Sequence, residues 1–267
     1  MLLALKLFIT PALIVGLTLI ARRFGPGIAG WLGGLPISAG PIALFLAFEQ
    51  GPAFTAQAAV TTIASLAGTA AYCLAYAHAA RRGRWPFALG CTVLTWGLCV
   101  VALYWLAQFA WFGLMVAVVV AVTAIVLSLL CYPPFDNPTE GELPRGQWDL
   151  VLRVFATWSI LFAVTLLATT LGPIWTGLFT TFPVVSTVLA IFAHRQVTAN
   201  PHAPRAVAAL LRGIVSGSGS TIAFFVVLGV LLPQGNLAVS FGCAVLAALA
   251  VQAVSYYWLK PGAARSA

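Results

Sequence analysis

The sequence predicts an all-α, polytopic membrane protein of about nine transmembrane helices. They form two four-helix inverted-topology repeats joined by one extra helix. Three observations carry this prediction. Composition comes first: 62% of the 267 residues are hydrophobic and 7% are charged, whereas soluble domains carry about a quarter charged residues. The second is an internal duplication. Gly25-Pro26 recurs 147 positions on as Gly172-Pro173, and at that spacing Gly30, Pro36, Ala43 and Phe45 fall on Gly177, Pro183, Ala190 and Phe192. After a small insertion Ile63, Ser65 and Gly68 fall on Ile214, Ser216 and Gly219, and Gly90-Cys91 falls on Gly242-Cys243. The third is the placement of Lys and Arg, which fixes how the two copies lie in the membrane.

Apolar runs mark spans at 3–22, 27–48, 54–79, 86–107, 110–131, 149–170, 174–194, 205–231 and 236–259. A hydrocarbon layer of about 30 Å needs about 20 such residues per helix. The runs are continuous and do not alternate, which excludes barrel strands. Trp31, Trp85, Trp105, Trp111, Trp148, Trp175 and Trp258 lie near span ends, as an interfacial aromatic belt requires. The first run reads as a retained helix, because no small-residue cleavage site follows it.

Arg22-Arg23 follow span one, Arg81, Arg82 and Arg84 follow span three, Arg195 and Arg205 follow span seven, and Lys260 and Arg265 follow span nine. The loops after spans two, four, six and eight carry no Lys or Arg. The loop after span five is mixed, with Asp136, Glu140, Glu142, Arg145 and Asp149, and its prolines mark a linker. Because cytoplasmic loops are the basic ones, the N-terminus is expected outside and the C-terminus inside a bacterial inner membrane. The expected division is 1–108 for the first repeat, 109–148 for the linking helix and its cytoplasmic linker, and 149–267 for the second repeat. An odd number of crossings between the copies inverts the second.

Candidate site residues come from equivalent helices. Span two holds Pro36, Ser38, Gly40 and Pro41; span seven holds Thr180, Thr181, Pro183, Ser186 and Thr187. Proline frees backbone carbonyls, which in lipid need a hydroxyl, a water or a ligand as partner. Paired interrupted helices point to a midplane site, and kinked helices packed through small residues are the structural alternative. Span three adds Ser65, and span eight adds Ser216, Ser218 and Ser220 in a run dense in Gly and Ser. Arg212 lies about two turns into span eight, where a charge must snorkel or meet an anion. Lys6 and Arg153, early in each copy's first helix, and Glu49, at the end of span two, complete the charged candidates.

Other classes are poorly served. The net charge of +8 sits in short loops, which favours anionic lipid over nucleic acid. No P-loop, His-Glu-x-x-His or Gly-x-Ser-x-Gly is present. The five cysteines form no Cys-x-x-Cys pair and read as small packing residues. His78, His194 and His202 fall at or in cytoplasmic loops and read as solvent or interface residues. No enzyme activity, metal or cofactor is expected.

The run Gly177-Leu178-Phe179-Thr180-Thr181-Phe182-Pro183, followed by Ala193-His194, resembles the GlpM-like family of small bacterial inner-membrane proteins. That family is similar in having a basic residue early in helix one, here Lys6 and Arg153, and then a Gly-Leu-x-x-x-Phe-Pro segment and an Ala-His in helix two. The first copy matches through Gly30 to Pro36, and has Ala47-Phe48-Glu49 where the family has Ala-His. Its members are about half this length, so the resemblance implies two copies fused in opposite orientations. It also implies an association with envelope polysaccharide production.

The leading expectation is a secondary transporter or facilitator for a small or anionic solute. A flippase-like carrier of a lipid-linked precursor and a non-transporting scaffold for polysaccharide synthesis are the alternatives. Expected partners are membrane lipids and a small-molecule or lipid-linked substrate. A homodimer is left open.

Overall fold

Glycine and proline punctuate this chain, and its helices start where they sit. In a computed structural model, residues 15–20, 23–37, 39–82, 84–133, 155, 159, 174–175, 178, 182–194 and 203–259 are described. Every regular element among them is helical: α1 (Pro26–Gly33), α2 (Ala39–Glu49), α3 (Pro52–Ala79), α4 (Trp85–Leu106), α5 (Leu114–Leu130), α6 (Val184–His194), α7 (Ala203–Gly217), α8 (Gly219–Leu231) and α9 (Leu237–Leu259), with a 3-10 turn at Leu232–Gln234. Gly25 and Gly51 hold φ of 88° and 89°, a left-handed conformation that other residues rarely adopt. Each is followed by a proline that opens the next helix, where its missing N–H costs nothing.

Four of these stretches are long and apolar enough to cross a membrane: Pro52–Ala79, Trp85–Leu106, Ala206–Gln234 and Leu237–Ser255. Ala39–Glu49 and Leu114–Leu130 are shorter apolar helices. The regular structure of the described residues is therefore all helical, with four helices long and apolar enough for a membrane protein. Expected spans three, four, five and nine correspond to α3, α4, α5 and α9. Span two does not run through as a single helix, because α1 ends at Gly33 and α2 starts at Ala39. Span eight bends at Ser218, between α7 and α8, where the backbone stays right-handed at φ −65° and ψ −13°. Most of spans one and six lies outside the described residues, as does the linker beyond Pro133.

Helix α3 is the axis of the bundle. At 28 residues it is about 42 Å long, and α2, α4, α5, α7 and α8 all pack on it. Ile63, Ala64, Ser65, Tyr72, Cys73 and Tyr76 along its length are fully buried. Its Ala, Ser, Thr and Gly positions let neighbours approach closely, which is what drives helix association where lipid removes the hydrophobic incentive. Ser128 Oγ on α5 donates to Ala70 O at 3.1 Å. Helices α4, α5 and α9 turn Leu94, Leu98, Trp105, Met115, Leu130, Leu246 and Leu249 outward, as lipid-facing surfaces do.

One end of the bundle is basic. His78, in the last turn of α3, meets Cys131 O through Nε2 at 3.2 Å, which brings the ends of α3 and α5 together. Arg81 and Arg82 follow directly and are exposed. Tyr132, just beyond α5, reaches Cys73 O with its hydroxyl at 3.5 Å. Burial pushes the Tyr132 hydroxyl well above its ordinary value, the nearby Cys73 thiol adds to the rise, and the positive charge of Arg212 opposes it.

Candidate functional site

Two polar junctions cross the interior, each where an interrupted helix meets a neighbour. The first joins α1, α7, α8 and α9. Gly30 and Gly34 on one strand of chain, and Gly213 and Gly217 on the other, each repeat at a spacing of four, so each pair lies on one helix face. These faces touch through backbone. A Cβ on Gly30 would strike Leu210 O, one on Gly213 would strike Gly27 O, and one on Gly217 would strike Trp31 O. A Cβ on Gly34 would lie 2.6 Å from Gly217 Cα and 2.8 Å from Ser218 N. Only glycine allows this approach, so the glycines of span two serve contact between helices.

The break after α1 leaves carbonyls to be satisfied, and span eight supplies the donors. Thr221 Oγ1 donates to Gly34 O at 2.7 Å and Ser220 Oγ reaches the same oxygen at 3.3 Å. Gln252 Nε2, on α9, donates to Trp31 O at 2.8 Å. Trp31 Nε1 donates to Ser255 Oγ at 2.9 Å. Pro36 O accepts the Gly40 amide at 2.7 Å, which restarts the chain as α2. Gly40 then packs on the Phe224 ring, and Pro41 lies in the first turn of α2.

The second junction joins α3 and α6. Phe182-Pro183 stand outside regular structure, and α6 starts at Val184. Pro183 O accepts the Thr187 amide and its hydroxyl, both at 2.8 Å. The same hydroxyl meets Tyr72 OH at 2.7 Å. Seven residues further along α6, and four along α3, His194 Nδ1 meets Tyr76 OH at 3.4 Å. The contacts follow the same order in both chains, so α3 and α6 run parallel. Ser186 is buried on α6, and Trp96 of α4 packs edge-on to Phe182, with ring centroids 4.8 Å apart.

The expected site residues divide accordingly. Ser220 lies in the first junction, Gly40 packs on Phe224 of α8, and Pro36 and Pro41 flank the break between α1 and α2. Pro183 and Thr187 lie in the second junction, with Ser186 buried beside them on α6. Ser65, Ser216 and Ser218 turn their hydroxyls back onto their own helix, to Thr62 O, Gly213 O and Ile214 O, each at 2.8 Å. Such back-bonding satisfies the hydroxyl locally and bends the helix. Arg212 is exposed on α7, beside Tyr132. Glu49 is exposed at the end of α2. Ser38, Thr180, Thr181, Lys6 and Arg153 lie outside the described residues.

The junctions also hold Tyr72, Tyr76, Thr221 and Gln252, which were not among the expected site residues, and Trp31, expected in the aromatic belt, donates to Ser255 Oγ in the first junction. A signal was present. Tyr72 and Tyr76 stand four apart on one face, and Gln252 is an amide in an apolar run. His194 needs a correction. Expected as a solvent or interface residue, it is 4% exposed, with its ring edge-on to Tyr76. The reason is that α6 packs its last turn against the buried face of α3.

Compared with family models, with curated proteins and with solved structures, the chain has no match.

Proposed function

We propose that this chain is a secondary transporter or facilitator of a bacterial inner membrane, working by alternating access between two inverted repeats. One observation carries the reading. Span two, interrupted after Gly33, crosses span eight where that helix bends at Ser218, and Gly34 O accepts the Thr221 hydroxyl there at 2.7 Å. Discontinuous helices that meet inside a membrane are the recurrent substrate-site device of transporters. Helix α1 can rock about the break in span two, because Trp31 O and Gly34 O there are held by side chains of neighbouring helices.

Two pairs of contacts support the repeat. Gly68 and Gly219 occupy equivalent positions, and so do Cys99 and Val251 on the spacing of Gly90-Cys91 and Gly242-Cys243. A Cβ on Gly68 would lie 3.6 Å from Cys99 Cβ, and one on Gly219 would lie 3.7 Å from Val251 Cγ1. Gly40 and Thr187 are equivalent as well. Gly40 meets Phe224, and Thr187 meets Tyr72, within one residue of the corresponding place. The basic end, with Arg81, Arg82 and Arg212, supports a cytoplasmic assignment for that face. The proposed fold has nine spans, and the resemblance to the GlpM-like family adds an envelope context.

The test uses a variant without native cysteines, carrying Thr187→Cys or Ser220→Cys in right-side-out and inverted vesicles. A membrane-impermeant maleimide is added to each. Alternating access predicts that at least one of the two positions reacts from both sides, at a rate that changes with conditions. If neither position ever reacts from either side, the transport reading fails. A non-transporting scaffold is the second reading. The hydroxyls of Ser65, Ser216 and Ser218, each satisfied within its own helix, favour it, and it predicts that unreactive outcome.

A further inference from the structure

The junction of α1, α7 and α9 contains one buried polar atom with no partner among the described residues: Gln252 Oε1. The residue is 4% exposed, and its amide nitrogen is committed to Trp31 O at 2.8 Å. That places the amide oxygen beside the same carbonyl against which Gly217 packs. A buried amide oxygen without a donor is unfavourable, so something with positive character belongs there. The surroundings are rich in oxygen. Thr221 and Ser220 spend their hydroxyl protons on Gly34 O and on Gly217 O (the latter at 2.8 Å), which leaves their lone pairs open. Helix α1 ends at Gly33, so the negative end of its dipole, through Trp31 O and Gly34 O, meets this place.

We propose that Gln252 Oε1, Gly34 O and the hydroxyls of Ser220 and Thr221 form a binding site for a dehydrated alkali-metal cation, while Trp31 O stays with its two donors, the Gly34 amide at 3.2 Å and Gln252 Nε2. All four are neutral oxygens. The described residues hold no group of three or more His, Cys, Asp or Glu that would hold a transition metal, and hard oxygen donors suit hard cations. Unwound backbone carbonyls at a half-helix end are suited to this role in a membrane. The site rests on the geometry of the junction alone. It stands in a transporter, where the ion couples to movement, and equally in a scaffold, where it pins α9 to the break.

The test is thermal unfolding of the full chain in detergent, followed by tryptophan fluorescence. Sodium, potassium and choline chlorides are compared at one ionic strength. The expected result is a saturable rise in Tm of several degrees with sodium or potassium and none with choline. Gln252→Leu abolishes the rise, and Thr221→Val weakens the apparent affinity at least tenfold. Gln252→Glu keeps Oε1 and adds charge but loses the Nε2 donor to Trp31 O, so it melts lower without the ion and retains the rise with sodium or potassium. Should Gln252→Leu fail to fold, binding of radioactive sodium to Thr221→Val and to the unmodified protein decides. Equal Tm in all three salts, with no sodium or potassium bound, overturns the site and assigns the oxygen to a water. A rise that survives Gln252→Leu unchanged overturns it as well. Neither result touches the two-sided labelling test of transport.

Discussion

Replacing Gly34 by alanine drives a methyl group into the backbone of α7. The added carbon would lie 2.6 Å from Gly217 Cα and 2.8 Å from Ser218 N, while carbon contacts settle at about 3.5–4.0 Å. Neither neighbour is a flexible side-chain end, so α1 and α7 must separate by roughly 1 Å. Overpacking of this kind costs about 1–3 kcal/mol. The same separation stretches the Thr221 bond to Gly34 O, now 2.7 Å, and interhelical bonds in membranes average about 0.6 kcal/mol. Backbone strain adds nothing, because Gly34 has φ −76°, open to any residue. The sum is about 2–4 kcal/mol. At about 2–4 °C per kcal/mol for a chain of this size, Tm falls by roughly 4–16 °C. The control is Gly90→Ala on α4, where an added Cβ meets nothing within 4 Å. Removing a helical glycine there gains up to about 1 kcal/mol. The assay is Tm in detergent by tryptophan fluorescence. If Gly34→Ala melts within a degree of the unmodified protein, or if Gly90→Ala is as damaging, the backbone contact is not what holds α1 on α7.

Other predictions follow from the same contacts. Tyr72→Phe and Thr187→Val each remove one end of a 2.7 Å contact. Each is expected to cost about 0.6–1.7 kcal/mol; a double-mutant cycle should show the two losses coupled, and strict additivity would refute the bond. Gly51→Ala places a side chain at φ 89° and ψ 167°, a region used almost only by glycine, and should lower stability by about 1–3 kcal/mol, measured by the same melt. Cys73 is fully buried, whereas Cys131 and Cys243 are exposed. A small apolar maleimide should label the latter two in the folded protein and Cys73 only after unfolding, read by mass spectrometry.

The sequence made the long helices easy to place and the hydrogen-bond partners hard. Helices α3, α4, α5 and α9 are unbroken apolar runs, and Gly51-Pro52 or an arginine cluster marks their ends, so length and punctuation sufficed. The break near Pro36 was legible because proline leaves a carbonyl without its donor. The bend at Ser218 was visible only as a density of Gly and Ser. Composition cannot say where a hydroxyl spends its proton. Ser216 and Ser220 look alike in the sequence, yet one bonds its own helix and the other also reaches Gly34 O across the junction. Arg212 reads as an intramembrane charge, but which face of α7 carries it depends on a crossing angle set by Gly213 and Gly217. The sequence shows that crossing only as a spacing.

The duplication ties these points together. If span two and span seven are equivalents, the two copies have solved one packing problem with different chemistry. In one, helices meet through bare backbone at Gly30, Gly34, Gly213 and Gly217. In the other, the contact is made by side chains, Tyr72 with Thr187 and Tyr76 with His194. A glycine contact has one geometry and no spare volume. A tyrosine contact can rotate and exchange its partner for water or a ligand. The α3/α6 junction is thus the side better able to open, and the α1/α7 junction the side better able to act as a pivot. Alternating access then predicts an asymmetry that a scaffold does not. Labelling at Thr187→Cys should vary strongly with conditions, and labelling at Ser220→Cys should vary little. A reversed order would place the pivot at α3 and α6 and remove the basis for a glycine hinge.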